Sequence, residues 1–238
     1  MTAITAENLI KDFGDFRAID KISLSIAGGE ITAIVGPNGS GKTTFIKSIL
    51  GLVKPTSGNI IVNGVKLNGT FKYREQIGYM PQQASFPENI TVKETIDLLC
   101  DIRNKTGDLS EELINKFNLQ KEYNKKIKTL SGGTKQKLNA VIAFIFDPEI
   151  LILDEPTAGL DPYASGILKD KILSVRKGGK TILLTSHILS ELEDMAENVI
   201  FLLEGSIRYN GKVNDLIERT SSSNLERAIA SLISGVAV

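Results

Sequence analysis

Residues 36–43 read GPNGSGKT, and their types and spacing suit the grip of a polyphosphate. Gly36, Gly39 and Gly41 let the backbone curl until successive N–H groups point inward, forming an anion nest at the start of a helix. Lys42 supplies a positive charge for the β- and γ-phosphates of a nucleotide, and the hydroxyl of Thr43 is a ligand for Mg²⁺. A glycine-rich turn with an incidental lysine is the bland alternative. The apolar strand before the loop and the helical spacing after it argue against that.

A second group of polar residues follows apolar strands. ILILD ends in Asp154, placed at the carboxyl end of a buried strand, where open α/β sheets bind their ligands. An acid there holds Mg²⁺ through the metal's water shell. The adjacent Glu155 is the candidate to orient or deprotonate a water attacking the γ-phosphate. His187, the one histidine of the chain, ends the strand TILLTS. It is expected on the same sheet edge, within reach of the γ-phosphate and Glu155.

LSGGT, at 130–134, raises a separate question. Ser131, Gly132 and Gly133 read as a second anion nest at a helix N-terminus, with Ser131 as N-cap. One sheet edge offers one nucleotide position, and GPNGSGKT already fills it. A helical insertion separates LSGGT from that position, so its expected target is the γ-phosphate held by another copy of the chain. Two nucleotides would then lie between two protomers related by isologous contact.

The surrounding pattern must position these groups. ENLIKDF and AIDKISLSI alternate apolar and polar residues, as half-buried antiparallel strands do. ITAIV, before the phosphate loop, is continuously apolar and β-branched, as in a strand buried on both faces. KPTSGNIIVNGVKL reads as a hairpin turning at Asn63-Gly64. From about Pro87 to Lys128 the periodicity becomes helical: VKETIDLLCDI, LSEELINKFNL and KEYNKK, with Gly107 as a separator. Beyond Pro148, strands alternate with helices, which argues for a parallel sheet covered on both sides. NVIFLLEGSIRYNGKV reads as a last hairpin, Ser221–Ser223 as a linker and NLERAIASLIS as a final amphipathic helix. The expected fold is α/β: a mostly parallel phosphate-loop NTPase core with an N-terminal antiparallel β-subdomain and a helical subdomain.

Bulk properties narrow the function further. Hydrophobic residues make up 42% of the 238, enough for one substantial core. Lys+Arg and Asp+Glu both number 28, so the basic excess of a nucleic-acid binder is missing from the total. The single cysteine, Cys100, sits in an apolar stretch, reads as a small core residue and points to a reducing compartment. The N-terminus lacks a signal-peptide pattern, and the longest apolar runs fall far short of the roughly 20 residues of a spanning helix. A cytoplasmic chain that reaches a membrane only through a partner is expected.

The ordered set GPNGSGKT, Gln82 in YMPQQ, LSGGTKQK, ILILDEP, AGLD and His187 resembles the ATP-binding cassette (ABC) ATPases, and does so across nearly the whole chain. That resemblance implies a cassette over 1–220, with a helical subdomain at about 84–146, and a linker and helix over 221–238. Pro37, Asn38, Ser40 and Thr44 would line the phosphate loop. Gln82 would touch Mg²⁺ and the attacking water, relaying occupancy to the helical lobe. Phe13 would stack on adenine, and Asp161 of AGLD would lie at the dimer interface. The resemblance further implies ATP and Mg²⁺ as cofactors, a homodimer or a paired ABC subunit, and a separate integral-membrane permease. Thr134 departs from the glutamine usual after LSGG. DEPTAGLDPY and the tail resemble the exporter-type (ABC-2-like) branch. A non-transport relative, such as an iron–sulfur assembly ATPase, is the alternative.

Overall fold

The computed structural model describes residues 1–104 and 111–234. Gly107, expected to separate two helices, lies outside the described residues, as do the first two residues of LSEELINKFNL. Ten strands and eight α-helices follow one another among the described residues.

Two long strands open the chain, β1 (Thr2–Phe13) and β2 (Phe16–Ala27), paired antiparallel through a tight turn that brings Phe13 opposite Phe16. β4 (Ser57–Val62) adds to the other edge of β1, and the short β5 (Val65–Lys66) returns from the Asn63-Gly64 turn. Asn63 adopts φ 46, a left-handed conformation that Asn tolerates better than most residues. These four strands form one antiparallel sheet in the order β2-β1-β4-β5.

The second sheet has six strands in the order β10-β9-β3-β8-β7-β6. β3 (Ile31–Val35), β7 (Ile150–Asp154) and β8 (Thr181–Thr185) are buried along their whole length. β6 (Ile77–Met80) pairs parallel with β7 at one edge. β9 (Asn198–Leu203) pairs parallel with β3 and antiparallel with β10 (Ser206–Lys212), the expected last hairpin.

Continuous apolar runs are required because both faces are covered. Ala33, Leu151, Leu184 and Val199 enter one core, while Ile34, Ile152, Leu183 and Ile200 enter the other. The second core lies between the large sheet and the antiparallel one, and is filled by Phe45, Ile46 and Ile49 of α1 (Lys42–Ile49). The first core packs the remaining helices. These are α2 (Val92–Arg103), α3 (Glu112–Lys116), α4 (Gly132–Phe144), α5 (Pro162–Lys177), α6 (Leu189–Met195), α7 (Val213–Arg219) and α8 (Leu225–Ser234). Cys100 is buried in that core, as its apolar neighbours suggest.

The helical lobe departs from the sequence expectation in one segment. KEYNKK is not an α-helix: a 3₁₀ turn ends at Glu122, and the chain then runs beside residues 88–93. Val92 N–H donates to Lys125 O (3.1 Å), Ile127 N–H to Ile90 O (2.9 Å) and Lys128 N–H to Glu88 O (3.1 Å). Those ladder bonds outcompete a helix of under two turns, which is marginal in isolation. α2 itself starts in a capping box: Thr91 accepts from Glu94 N–H, and the Glu94 carboxylate accepts from Thr91 N–H.

α7 has no counterpart in the sequence reading, because seven residues with only Val213 and Leu216 buried carry little periodicity. α8 docks through Leu225, Ala228 and Ile229, and Leu225 N–H donates to Glu193 of α6 at 2.7 Å. No helix among the described residues is long and apolar enough to cross a membrane.

Candidate functional site

The phosphate loop joins β3 to α1, and close approach fixes two of its glycines, Gly36 and Gly41. A Cβ on Gly36 would stand 2.2 Å from Leu202 O, and one on Gly41, at φ +103, would stand 2.6 Å from Ala18 O. Lys42 folds back across the loop and donates Nζ to Gly36 O (2.6 Å) and Pro37 O (3.0 Å). Burial lowers its pKa from the ordinary lysine value, against the attraction of Glu155 and Asp154. Ser40 is 2% exposed and its Oγ has no hydrogen-bond partner among the described residues. A buried hydroxyl without a partner is costly unless something else satisfies it.

β7 and β8 deliver the acidic pair. Thr185 Oγ1 donates to Asp154 Oδ1 at 2.6 Å. The next residue, Glu155, takes the left-handed conformation (φ 53), a cost of order 1–3 kcal/mol for a non-glycine residue. Its N–H is held by both the hydroxyl (3.0 Å) and the carbonyl (3.2 Å) of Thr185. That reversal turns the Glu155 carboxylate away from the strand direction and toward His187. His187 N–H donates to Glu155 Oε2 at 3.2 Å, and its Nε2 lies 3.3 Å from Oε1.

These elements enclose a cavity of about 370 Å³. Asn38, Gly39, Ser40, Gly41, Lys42, Thr43 and Thr44 line it from the loop. Gln82, Asp154, Glu155 and His187 line it from the ends of β6, β7 and β8. Gly36 and Pro37 stand behind, as the carbonyls that hold Lys42. The donor set fits a nucleotide triphosphate: an orphaned hydroxyl, a lysine and a glycine nest for the phosphates. Thr43, Asp154 and Gln82 bring a hydroxyl, a carboxylate and an amide oxygen to one cavity, the hard donors that Mg²⁺ prefers.

Not every sequence candidate lies there. Phe13 is outside the cavity lining, 50% exposed, with Lys11 Nζ 4.7 Å above its ring. Its partner across the turn, Phe16, lines the cavity instead, together with Ala18. Reading β1 and β2 as a hairpin was the available signal for Phe16. Thr185 was missed as well, although a threonine ending a buried strand beside Asp154 was in plain view.

Ser131, Gly132, Gly133 and Asp161 also lie outside the lining, and together form a second feature. Ser131 caps α4, accepting from Thr134 N–H at 3.2 Å. Asp161 caps α5, accepting from Ala164 N–H at 2.8 Å, and pairs with Lys137 of α4 at 2.9 Å. The capping bond and that lysine hold the Asp161 carboxyl below its usual range. Among the described residues no atom beyond its chain neighbours and its own helix backbone stands within 4 Å of a Cβ built on Gly132, and Ser131 and Gly132 are exposed, while Gly159 O lies 3.3 Å from a Cβ built on Gly133.

Comparison with known proteins agrees with this geometry. The ABC transporter family profile matches residues 19–158. The Nod factor export ATP-binding protein I of Rhizobium etli is 34% identical over 225 residues, which cover 92% of this chain and 71% of that protein. A solved ATP-binding subunit of an ABC transporter superposes with a TM-score of 0.91 at 28% identity, covering 97% of this chain and 99% of the other. A dimeric ATP-binding cassette in a post-hydrolysis state, bound to ADP and Pi, superposes at 0.78 with 25% identity, covering 88% and 98%.

Fold and site together define an ATP-binding cassette ATPase. The chain belongs to the ABC transporter family, as an ATP-binding subunit that binds and hydrolyses ATP to power a membrane transporter.

Proposed function

We propose that two copies of this cassette, or this chain and a paired ABC subunit, close on two ATP molecules, each held by the GPNGSGKT loop of one protomer and Ser131–Gly133 of the other. The observation that carries this reading is the position of the second nest: a capped helix start, open on the outside and absent from the chain's own nucleotide cavity. Asp161 lies beside it and reads as an interface residue.

Within each site the loop N–H groups and Lys42 neutralise the γ-phosphate, with Ser40 Oγ as a further donor. Gln82, Thr43 and Asp154 would hold Mg²⁺, which screens phosphate charge when bound. Glu155 accepts a proton from water as the water oxygen bonds to the γ-phosphorus. The bond from phosphorus to the bridging oxygen then breaks, leaving ADP and phosphate. His187 donates to the γ-phosphate and steadies Glu155. Losing the γ-phosphate removes what joins the halves, and the protomers part. Phe16, with Phe13 beside it, offers the aromatic face for adenine.

The permease partner docks at a groove of about 230 Å³ between α2, α4 and β6. Leu52, Leu99, Ile142 and Phe146 form apolar walls, while Arg74 and Arg103 have no carboxylate partner among the described residues. The groove suits an apolar helix bearing an acidic side chain. Attachment through such a partner puts the chain on the cytoplasmic face of a membrane, with residues 1–220 as the motor and 221–238 as a C-terminal linker and helix, docked through Leu225, Ala228 and Ile229. The Nod factor relative favours export as the direction. Affinity purification from detergent-solubilised membranes tests this: a multi-span polypeptide should co-purify in stoichiometric amount. Recovery with soluble proteins alone, such as a cluster scaffold, would refute it.

A further inference from the structure

The loop carrying Glu155 and the helix following His187 are tied together a second time, away from the reactive carboxylate. Thr157, two residues past Glu155, donates Oγ1 to Glu191 Oε2 at 2.9 Å. Glu191 is the third residue of α6, which begins just beyond His187 and Ile188. Its Oε1 lies 2.8 Å from Lys169 Nζ of α5, and its side chain is only 14% exposed. The Glu191 N–H donates to Ile188 O at 3.1 Å, which bonds the main chain of this residue to the turn just behind His187. Three elements therefore meet at one partly buried acid: the loop after β7, the start of α6 and the body of α5.

We propose that Glu191 is a positioning residue for ATP hydrolysis, holding the His187 turn against the Glu155 loop by way of Thr157. The backbone N–H of His187 reaches Glu155 Oε2 at 3.2 Å only while these two segments stay in register. The strands β7 and β8 fix the segments as far as Asp154 and Thr185; beyond those residues the chain leaves the sheet and needs another tie. The Thr157–Glu191 bond is that tie, and Lys169 sets the acid's orientation. A carboxylate that bonds three elements is poorly replaced by water, and a displacement of about 1 Å at a reacting group lowers rates by about a hundredfold. Because Asp161 caps α5 and pairs with Lys137 of α4, the same acid also connects the reacting groups to the exposed turn beside Ser131.

This inference rests on Glu155 being the base, and the test separates the two claims. Thr157→Val keeps shape and removes the donor; Thr157→Ser keeps the donor. Single-turnover hydrolysis and ATP affinity are measured for both, with Glu155→Gln alongside. Thr157→Val is expected to lower the hydrolysis rate about ten- to a hundredfold with ATP affinity unchanged, and Thr157→Ser to recover most of that loss. Combining Thr157→Val with Glu191→Ala should cost no more than the larger single loss, since both cut one connection. If Glu191→Ala does not fold, the Thr157 pair alone carries the test. Thr157→Val at the wild-type rate beside a slow Glu155→Gln would overturn the clamp and leave the base standing. Wild-type rates for both would overturn the base and the clamp. A Thr157→Val loss that Thr157→Ser does not recover, or that comes with lost ATP binding, would mean a general structural role and overturn the proposal.

Discussion

His187 meets Glu155 at two points: its main-chain N–H donates to Oε2 at 3.2 Å, and Nε2 stands 3.3 Å from Oε1. One residue thus orients both oxygens of the carboxylate. The left-handed backbone of Glu155 makes this possible, because an extended residue there would continue along β7 past the cavity.

Glu155→Gln keeps the acceptor for the His187 N–H and loses the proton acceptor. Turnover should fall by about 10²–10⁴-fold while ATP binding survives, and an ATP-bound dimer should accumulate on size-exclusion chromatography. Hydrolysis at the wild-type rate would show that another group takes the proton.

Ser131→Arg replaces the α4 cap with a bulky cation at the exposed turn. The variant should bind nucleotide as a monomer with near wild-type affinity and fail to dimerise in the Glu155→Gln background. Losing the cap costs about 1 kcal/mol, visible as a small drop in Tm. Unchanged dimerisation by light scattering would remove the second nest from the site.

Gly36→Ala sets a methyl group 2.2 Å from Leu202 O and 2.5 Å from Ser40 Oγ. The backbone of β9 cannot yield cheaply, so the loop must move instead. Stability should fall by about 1–3 kcal/mol and ATP affinity by more than tenfold, read by thermal denaturation and a fluorescent nucleotide.

Phe16→Ala should weaken ATP binding by about 1–2 kcal/mol through lost stacking, and leave the affinity for inorganic tripolyphosphate unchanged. Phe13→Ala, at a ring outside the cavity, should cost less in the same titration. A reversed order would return the adenine face to Phe13.

Arg103→Glu reverses charge in the groove between α2 and β6, where Arg103 donates to Glu75 O (3.0 Å) and Ile77 O (3.4 Å). ATPase activity of the isolated chain should persist, while co-purification with the permease falls. Undiminished recovery of the permease would exclude the groove as its seat.

Much of this was legible from residue order. ITAIV, ILILD and TILLT are unbroken apolar runs because both faces of the central sheet are covered, and such runs place Asp154 and His187 at one edge. Charge and hydroxyl positions in GPNGSGKT follow from chemistry that few other sequences satisfy. α7 was missed because it is short and weakly periodic, while most of the other misses depend on how one segment meets another. KEYNKK carries a helical pattern, yet its main chain pairs with residues 88–93. Phe16 reaches the cavity through the turn of its hairpin, and the bond from Thr157 to Glu191 spans 34 positions. Periodicity reports the face of an element, and these features depend on its neighbours.

Among the described residues the helical lobe has no core separate from that of the central sheet. Val92, Ile96, Leu113 and Phe117 share one continuous apolar core with Leu151, Leu184 and Phe201 of the central sheet. Swinging the lobe outward would wet that shared layer, at about 25 cal/mol for every Å² uncovered. Sliding along it leaves the layer dry. An outward swing is therefore the costly displacement for this lobe, and a slide along the shared layer the cheaper one.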